Sequence, residues 1–87
     1  MQAALPEAWS ILENCLYRRF EFSDFVEAFS FMTSVSLVAE KANHHPDWRN
    51  VYNTVEIKLC THDAGNSITE KDYELATTIN AIFDEKN

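Results

Sequence analysis

The sequence predicts an α+β fold in which helices pack on one face of an antiparallel sheet. Three segments have the alternation or aromatic content of strands, and two longer segments have apolar residues at helical spacing, in the order strand, strand, helix, strand, helix. Eighty-seven residues with one glycine and no linker-like stretch predict one domain over 1–87. A chain this short buries only about 60–65% of the surface that its unfolded form exposes, so we expect it to gain stability by self-association.

The first two strands are predicted on either side of a turn at Glu13 and Asn14. The segment 9–12 is short and apolar at three of four positions, which favours a strand over a helix. The segment 16–22 alternates apolar and polar side chains, which is typical of a strand with one buried face.

A long helix is predicted from an N-cap at Ser23 to about Asn43. Its core-facing stripe is predicted to consist of Phe25, Ala28, Phe29, Met32, Val35 and Ala39. A second, thinner stripe contains Phe31, Ser34 and Val38. Because one small domain leaves this second stripe uncovered, we expect it to be exposed in the monomer and to form the interface between subunits.

The clearest strand is predicted over 51–61, with one apolar and one polar face. The two-residue period places Thr61 on the apolar face and His62 on the polar side. After a short loop, Thr69-x-x-Asp72 resembles a capping box and predicts the start of a final helix.

Composition excludes several classes of protein. Seven Lys and Arg against fourteen Asp and Glu give a formal net charge of −7, which argues against direct binding of nucleic acid. The chain has no apolar run of about 18 residues, so no membrane span is predicted, and its first seven residues lack the regions of a secretory signal. We expect Cys15 and Cys60 to be separate, partly buried apolar residues in a reducing compartment. The predicted location is the cytoplasm, with the nucleus as an alternative.

All three histidines, His44, His45 and His62, follow the ends of predicted elements. Side chains held in such places are often catalytic, and histidine both gives and takes protons near neutral pH. Each also has a simpler interpretation: His44 could end the helix, His45 could be a turn residue before Pro46, and His62 could be a solvent-facing strand end.

Two carboxylates stand near these histidines in the sequence. Glu40 precedes His44 by one helical turn, so it could orient that ring or could be a solvated surface residue. Asp72 could act only as the cap partner of Thr69. We predict no metal site, because adjacent His44 and His45 seldom point at one ion and no other Cys or His pair has metal-binding spacing.

The histidine-rich segment and its surroundings resemble the signature of the pterin-4a-carbinolamine dehydratases. The central motif is Glu40-x₃-His44-His45-Pro46, followed by Tyr52, His62 and Asp72. Further matching segments are Phe22-x-x-Phe25, Ala28-Phe29-x-Phe31-Met32-Thr33, Ala39-Glu40-Lys41, Asn50-Val51-Tyr52-Asn53 and Thr61-His62. The resemblance covers about 9–83, and these separated motifs agree in order and spacing.

The resemblance implies a four-stranded antiparallel sheet with helices on one face, one strand more than the pattern of the residues reveals. It also implies a helix before the strand at Trp9, so we expect the N-terminal helix of the family to be missing or shortened. The loop after His62 contains one glycine, Gly65, where many members have two, and we expect a slightly different site geometry.

The resemblance further implies that the protein dehydrates 4a-hydroxytetrahydropterin to quinonoid dihydropterin, a step that recycles the cofactor of aromatic amino-acid hydroxylases. The pterin is then the substrate, and no cofactor is implied. His44 and His62 match family histidines with acid–base roles, and Glu40 and Asp72 match supporting positions. The positions that match the lining of the pterin site are Asn43, His45, Thr61, His62 and Asp63.

The resemblance also implies a homodimer or homotetramer with the long helix between subunits, in agreement with the stripe of Phe31, Ser34 and Val38. Some animal members bind the dimerisation region of a homeodomain transcription factor. A non-catalytic dimerisation or coactivator module is therefore the alternative to the enzyme. Loss of a histidine would have favoured that alternative, and all three histidines are present.

Overall fold

The computed structural model describes residues 4–86, the last of them as backbone only. Within this range an antiparallel sheet has the strand order β1-β2-β4-β3. The elements are β1 (Ser10–Leu12), β2 (Cys15–Glu21), α1 (Phe25–Ala42), β3 (Asp47–Val51), β4 (Thr54–Leu59), a 3₁₀ turn (His62–Ala64) and α2 (Glu70–Lys86). The predicted α+β class is confirmed. The prediction that no secretory signal is present rests partly on residues 1–3, which lie outside the described residues.

The β1–β2 hairpin agrees with the sequence prediction. Its turn residues Glu13 and Asn14 both have positive φ, at 54° and 65°. Two consecutive left-handed residues are the geometry of the tight turn that matches the twist of antiparallel strands. The ladder is in register from Leu12 opposite Cys15 to Ser10 opposite Tyr17.

The predicted single strand over 51–61 is wrong, because the structure divides this region into a second hairpin. Strands β3 and β4 are joined at Tyr52 and Asn53, and Val51 lies opposite Thr54. Tyr52 has a φ of 52°, so this turn also uses a left-handed residue that is not glycine. The four-stranded sheet that the resemblance implies is therefore completed by β3, which begins before Val51.

Both helices cover the inner face of the sheet and enclose the core. The strand residues buried there are Leu16, Phe20, Val55, Ile57 and Leu59, and the helix residues packed over them include Ala28, Phe31, Val35, Leu75, Ala76 and Ile79. Aromatic rings dominate one end of the core, where the ring centroids of Phe20 and Phe31 are 4.8 Å apart and those of Phe20 and Phe83 are 5.1 Å apart. Burial of each large apolar side chain contributes about 1.5–3 kcal/mol.

The cap of α1 differs by one residue from the prediction. Asp24, not Ser23, is the N-cap, and its Oδ1 accepts a hydrogen bond from the Glu27 amide at 2.9 Å. The Ser23 amide donates to Glu27 Oε1 at 3.3 Å, so the capping interactions are reciprocal. The predicted end of the helix is confirmed, since Asn43 is the C-cap in left-handed conformation.

The prediction of which residues of α1 enter the core is confirmed only in part. Ala28, Val35 and Ala39 are buried as predicted, but Phe31, which was assigned to the second stripe, is buried with them. Phe31 is therefore unavailable as an exposed interface residue, and Ser34 and Val38 are half-buried. Phe29, predicted to be in the core, is 53% exposed. Phe29 and Phe31 are equally apolar, and ring contacts of Phe31 with Phe20 of β2 and with Phe22, which follows β2, place Phe31 in the core.

The expectation of two separate cysteines is also wrong. Cys15 and Cys60 form a disulfide with a Cα–Cα distance of 5.0 Å. The pair continues the β2–β4 register by one position beyond Leu16 and Leu59. A separation of 45 residues along the chain hides this pairing from the sequence. In the range 4–86, no helix has the length and apolar character needed to cross a membrane.

Candidate active site

The predicted site residues converge where α1, β4 and the start of α2 meet. They line a cavity of about 280 Å³ formed by Asn43, His44, His45, Thr61, His62, Asp63 and Lys71. All the positions predicted to line a binding site are in this list, together with one lysine that the sequence did not suggest. Segments distant in the chain are therefore brought to one place by the sheet and the two helices.

The backbone turn at the end of α1 places His44 and His45 in different environments. The His44 amide donates to Ala39 O at 3.0 Å, and the Asn43 amide donates to Glu40 O at 3.1 Å. These two bonds and the left-handed Asn43 form a Schellman motif, in which the chain turns sharply away from the helix axis. His44 then lies with a side chain only 11% exposed, whereas the His45 side chain is 58% exposed.

Asp72 anchors the His44 ring. The distance from His44 Nε2 to Asp72 Oδ1 is 2.6 Å, and the Asp72 side chain is fully buried. Asp72 Oδ2 accepts hydrogen bonds from Thr61 Oγ1 and from the Thr69 amide, both at 2.8 Å. We call His44, Thr61, Thr69 and Asp72 the Asp72 network. A buried carboxylate needs such partners, since leaving one unpaired costs several kcal/mol.

The Asp72 network also bears on the His44 tautomer. When Asp72 is ionised, its carboxylate only accepts hydrogen bonds, and His44 Nε2 donates the proton in this contact. Nδ1 is then the ring nitrogen left for a ligand. Asp72 therefore acts both as a cap residue and as the partner of a histidine. Its Oδ2 accepts from the Thr69 amide, and its Oδ1 contacts His44.

Glu40 contacts a different histidine from the one expected. Its Oε1 lies 2.8 Å from His45 Nε2, and its side chain is 81% exposed. The expected one-turn pairing with His44 fails because the helix ends at Ala42, before the i,i+4 geometry reaches His44. The His45–Glu40 pair is therefore a solvated contact at the rim of the cavity.

His62 lines the same cavity as Asn43 and His44 at the end of α1. It begins the 3₁₀ turn, and its side chain is exposed. The Thr61 amide donates to Ser67 O at 2.9 Å, and Gly65 at a φ of 72° closes the loop. No hydrogen bond joins the His62 ring to another residue of the described chain, so both ring nitrogens can serve a ligand.

The sequence missed two features of the site. Lys71 lines the cavity, and its only sequence signal is its position beside Asp72. A second cavity of about 290 Å³, also lined by His45 and His62, contains the disulfide and Lys58. These contacts depend on strand register and on long-range packing.

Lys58 and Glu13 are the charged pair of this second cavity. Their Nζ and Oε1 atoms are 2.6 Å apart. The hydrogen bond from Lys58 lowers the pKa of Glu13 below its ordinary value of 4.5, and the same bond raises the pKa of Lys58 above 10.5. Among residues 4–86, no three His, Cys, Asp or Glu side chains lie close enough to bind one metal ion, and the absence of a metal stays a prediction.

Comparison with known sequences gives a consistent result. Residues 1–82 match the family model described as Pterin 4 alpha carbinolamine dehydratase. A Prochlorococcus marinus protein provisionally named pterin-4-alpha-carbinolamine dehydratase is 56% identical over 83 residues, which cover 95% of this chain and 84% of the relative. A Solibacter usitatus protein with the same provisional name is 50% identical, over 94% of this chain and 87% of the relative.

Comparison with solved structures supports the same fold. The crystal structure of a transcriptional coactivator/pterin dehydratase from Brucella melitensis superposes with a TM-score of 0.82 and 42% identity, over 87% of this chain and 82% of that one. A pterin dehydratase-like protein identified as a RuBisCO assembly factor in the alpha-carboxysome has a TM-score of 0.74 at 19% identity, over 87% and 89% of the two chains. The second likeness concerns the fold alone.

Proposed function

Because the chain belongs to the pterin-4-alpha-carbinolamine dehydratase family, we propose that it converts 4a-hydroxytetrahydropterin to quinonoid dihydropterin. The reaction expels hydroxide from C4a and removes a proton from a ring nitrogen, so one water leaves and no electrons are transferred. The observation that carries the proposal is the meeting of His44, held by buried Asp72, and His62 at one cavity.

His44 is proposed as the general base. Its Nε2 proton is engaged by Asp72, so Nδ1 is the atom that takes the ring-nitrogen proton of the pterin. The positive charge formed on the ring is then stabilised by the Asp72 carboxylate 2.6 Å away. A preorganised carboxylate in a buried place is effective because it needs no reorganisation during the reaction.

His62 is proposed as the general acid. Its exposed ring exchanges protons freely with water, and in the protonated form it donates to the hydroxyl that leaves C4a. Because His44 and His62 line the same cavity, one can act on the ring nitrogen while the other acts on the leaving oxygen. His62 then regains its proton from solvent, and His44 returns its proton to solvent.

The remaining lining residues are proposed to bind and orient the pterin. His45, supported by Glu40, would contact the ring from the rim, and the backbone of Asn43, Thr61 and Asp63 offers donors and acceptors to a planar heterocycle. The cavity of about 280 Å³ is at the small end of ligand pockets, which suits a bicyclic ring whose side chain extends into solvent. We propose that the reaction needs neither a metal nor a cofactor, that it recycles a tetrahydropterin in the cytoplasm, and that the pterin is the substrate.

A non-catalytic interaction module is the second candidate. The Brucella melitensis protein is described as both a coactivator and a pterin dehydratase. Here α1 leaves an exposed apolar surface made of Phe25, Val26, Phe29 and Leu37. We propose that this surface, in place of the Phe31 stripe, supports a homodimer or homotetramer, and that a transcription-factor dimerisation region is an alternative occupant.

The proposal is tested by a dehydratase assay on freshly generated 4a-hydroxytetrahydropterin. Wild type should accelerate the spontaneous reaction, and His44→Ala and His62→Ala should each lower kcat/KM by about 10²–10⁴-fold, the usual contribution of a positioned acid or base. Thr77→Ala, an exposed change on α2, serves as the matched control and should keep full activity. A folded wild type that gives no acceleration would overturn the catalytic proposal and favour the interaction module.

A further inference from the structure

The Cys15–Cys60 disulfide is a reactive group that the proposed reaction does not use. It forms part of the wall of the second cavity, which shares His45 and His62 with the histidine cavity. Both cysteines are half-buried and line this cavity, which a small molecule can enter. The disulfide therefore stands beside two of the three site histidines at an accessible position.

The disulfide is also a mechanical link to the site. The last backbone pair of the β2–β4 ladder is Leu16 with Leu59, and Cys60 lies one residue beyond it. The following residue, Thr61, donates to Asp72, and the next is His62. The sulfur–sulfur bond therefore continues the attachment of β4 to β2 up to the first residue of the site segment 60–62.

The opposite end of the disulfide lies at the tip of the β1–β2 hairpin. Cys15 follows Glu13 and Asn14, which both have left-handed backbone conformations. Such conformations in residues other than glycine cost about 1–3 kcal/mol and persist only when neighbouring contacts hold them. The contacts here are the disulfide, the Glu13–Lys58 ion pair at 2.6 Å, and Asn14 O at 3.3 Å from Cys60 Sγ.

We propose that this disulfide is a thiol-exchange site whose redox state controls the placement of His62. A small-molecule thiolate attacks one sulfur to form a mixed disulfide, and a second thiol releases it. In total, the protein disulfide and two thiols give two protein thiols and one small-molecule disulfide, with the thiol oxidised and the protein reduced.

The expected consequence rests on the proposed function. Reduction frees Cys60 from β2, so the segment 60–66 that carries His62 becomes more mobile. The His44 side of the site is held by the Asp72 contacts from α2 and is affected less. Since a displacement of about 1 Å in a catalytic group can cost about 100-fold in rate, a partial loosening should lower kcat/KM by about tenfold.

The test compares oxidised and dithiothreitol-reduced wild type with the double variant Cys15→Ser/Cys60→Ser. Free thiols are counted in denatured protein prepared without reductant, amide hydrogen exchange is followed over 60–66, and kcat/KM is measured in parallel. We expect no free thiols before reduction, faster exchange after it, and a rate about tenfold lower. The double variant should resemble reduced wild type and should not respond to dithiothreitol.

Three results would overturn the inference: two free thiols in unreduced protein, exchange over 60–66 that is the same in both states, or equal kcat/KM in both states. If neither state dehydrates the pterin, the proposed function fails. The redox inference is then tested by the thiol count, by hydrogen exchange and by the affinity for a dihydropterin, measured by calorimetry. This affinity should weaken on reduction of wild type and should not change in the double variant.

Discussion

The adjacent residues His44 and His45 lie in different environments, with side chains that are 11% and 58% exposed. His44 contacts the fully buried carboxylate of Asp72, which accepts two further hydrogen bonds. His45 contacts an exposed carboxylate at the rim. The two distances from a histidine nitrogen to a carboxylate oxygen, 2.6 and 2.8 Å, are nearly equal, so distance does not distinguish the two contacts. Burial distinguishes them. When a charged or hydrogen-bonding group is removed from a buried site, water cannot replace it, and the groups that it contacted are left unpaired.

The largest expected effect in this comparison follows from Asp72→Asn. The amide keeps the volume, but it loses the negative charge that balances the His44 imidazolium, and its NH₂ group would face either His44 or the Thr61 and Thr69 donors. We expect kcat to fall by about 10²-fold and unfolding to require about 1–3 kcal/mol less free energy. Asp72 is a positioning residue, so the pH profile of kcat should also shift, which a purely structural loss would not produce.

Thr61→Val is the companion variant for that prediction. It is close to isosteric and removes the hydrogen bonds of Thr61 Oγ1 to Asp72 and with Thr69 Oγ1, while leaving the Thr69 amide in place. Its loss of stability should be about 1–2 kcal/mol, and its loss of kcat smaller than that of Asp72→Asn. Equal activity of all three proteins would show that the Asp72 network stabilises the fold without positioning His44.

A smaller effect is expected from Glu40→Gln at the rim. An exposed ion pair contributes less than about 1 kcal/mol, and glutamine can still accept a hydrogen bond from His45. We therefore expect an unchanged kcat and a KM raised by no more than about threefold, since only substrate orientation is affected. A fall in kcat as large as that of Asp72→Asn would place the main catalytic support at the rim and contradict the comparison.

The smallest effect concerns the pH dependence of the Glu13–Lys58 pair. Because the folded-state pKa of Glu13 lies below its ordinary value of 4.5, this pair contributes stability above that value and loses it as the pH falls through the folded-state pKa. The raised pKa of Lys58 means that its contribution is present below 10.5 and is lost as the pH rises further.

Urea unfolding of wild type and Lys58→Met checks this sign. The stability difference between the two proteins should be larger at about pH 6 than at about pH 3, and small at both because the pair lies at the surface. A difference that is constant or grows on acidification would indicate that Lys58 acts through packing of its aliphatic stem and not through Glu13.

Much of the fold and of the site was predictable because it depends on local pattern. The alternation over 16–22 and the helix ending at Asn43 are both found in the structure. The site positions carried by the family resemblance also come together at one cavity. The hairpin at Tyr52 was missed because it lacks glycine and because a two-residue turn preserves the alternation on both sides.

Other features could not be predicted because they depend on how the helices pack against the sheet. Phe29 and Phe31 of α1 are equally apolar, and only the position of the sheet places Phe31 inside and Phe29 outside. Helical spacing predicted that Glu40 could contact His44. Because the helix ends at Ala42, Glu40 contacts His45 instead.

The amino-acid sequence by itself determined the α+β class, the periods of the strands and helices, and the set of histidines and carboxylates available for chemistry. Periodicity and capping act over a few residues, so they can be read along the chain. Only the tertiary structure decided that Asp72 faces His44, that Cys15 faces Cys60, and that Phe31 is buried while Phe29 is exposed. The first two contacts join residues 28 and 45 positions apart, and all three features arise from strand register and from the packing of helices on the sheet.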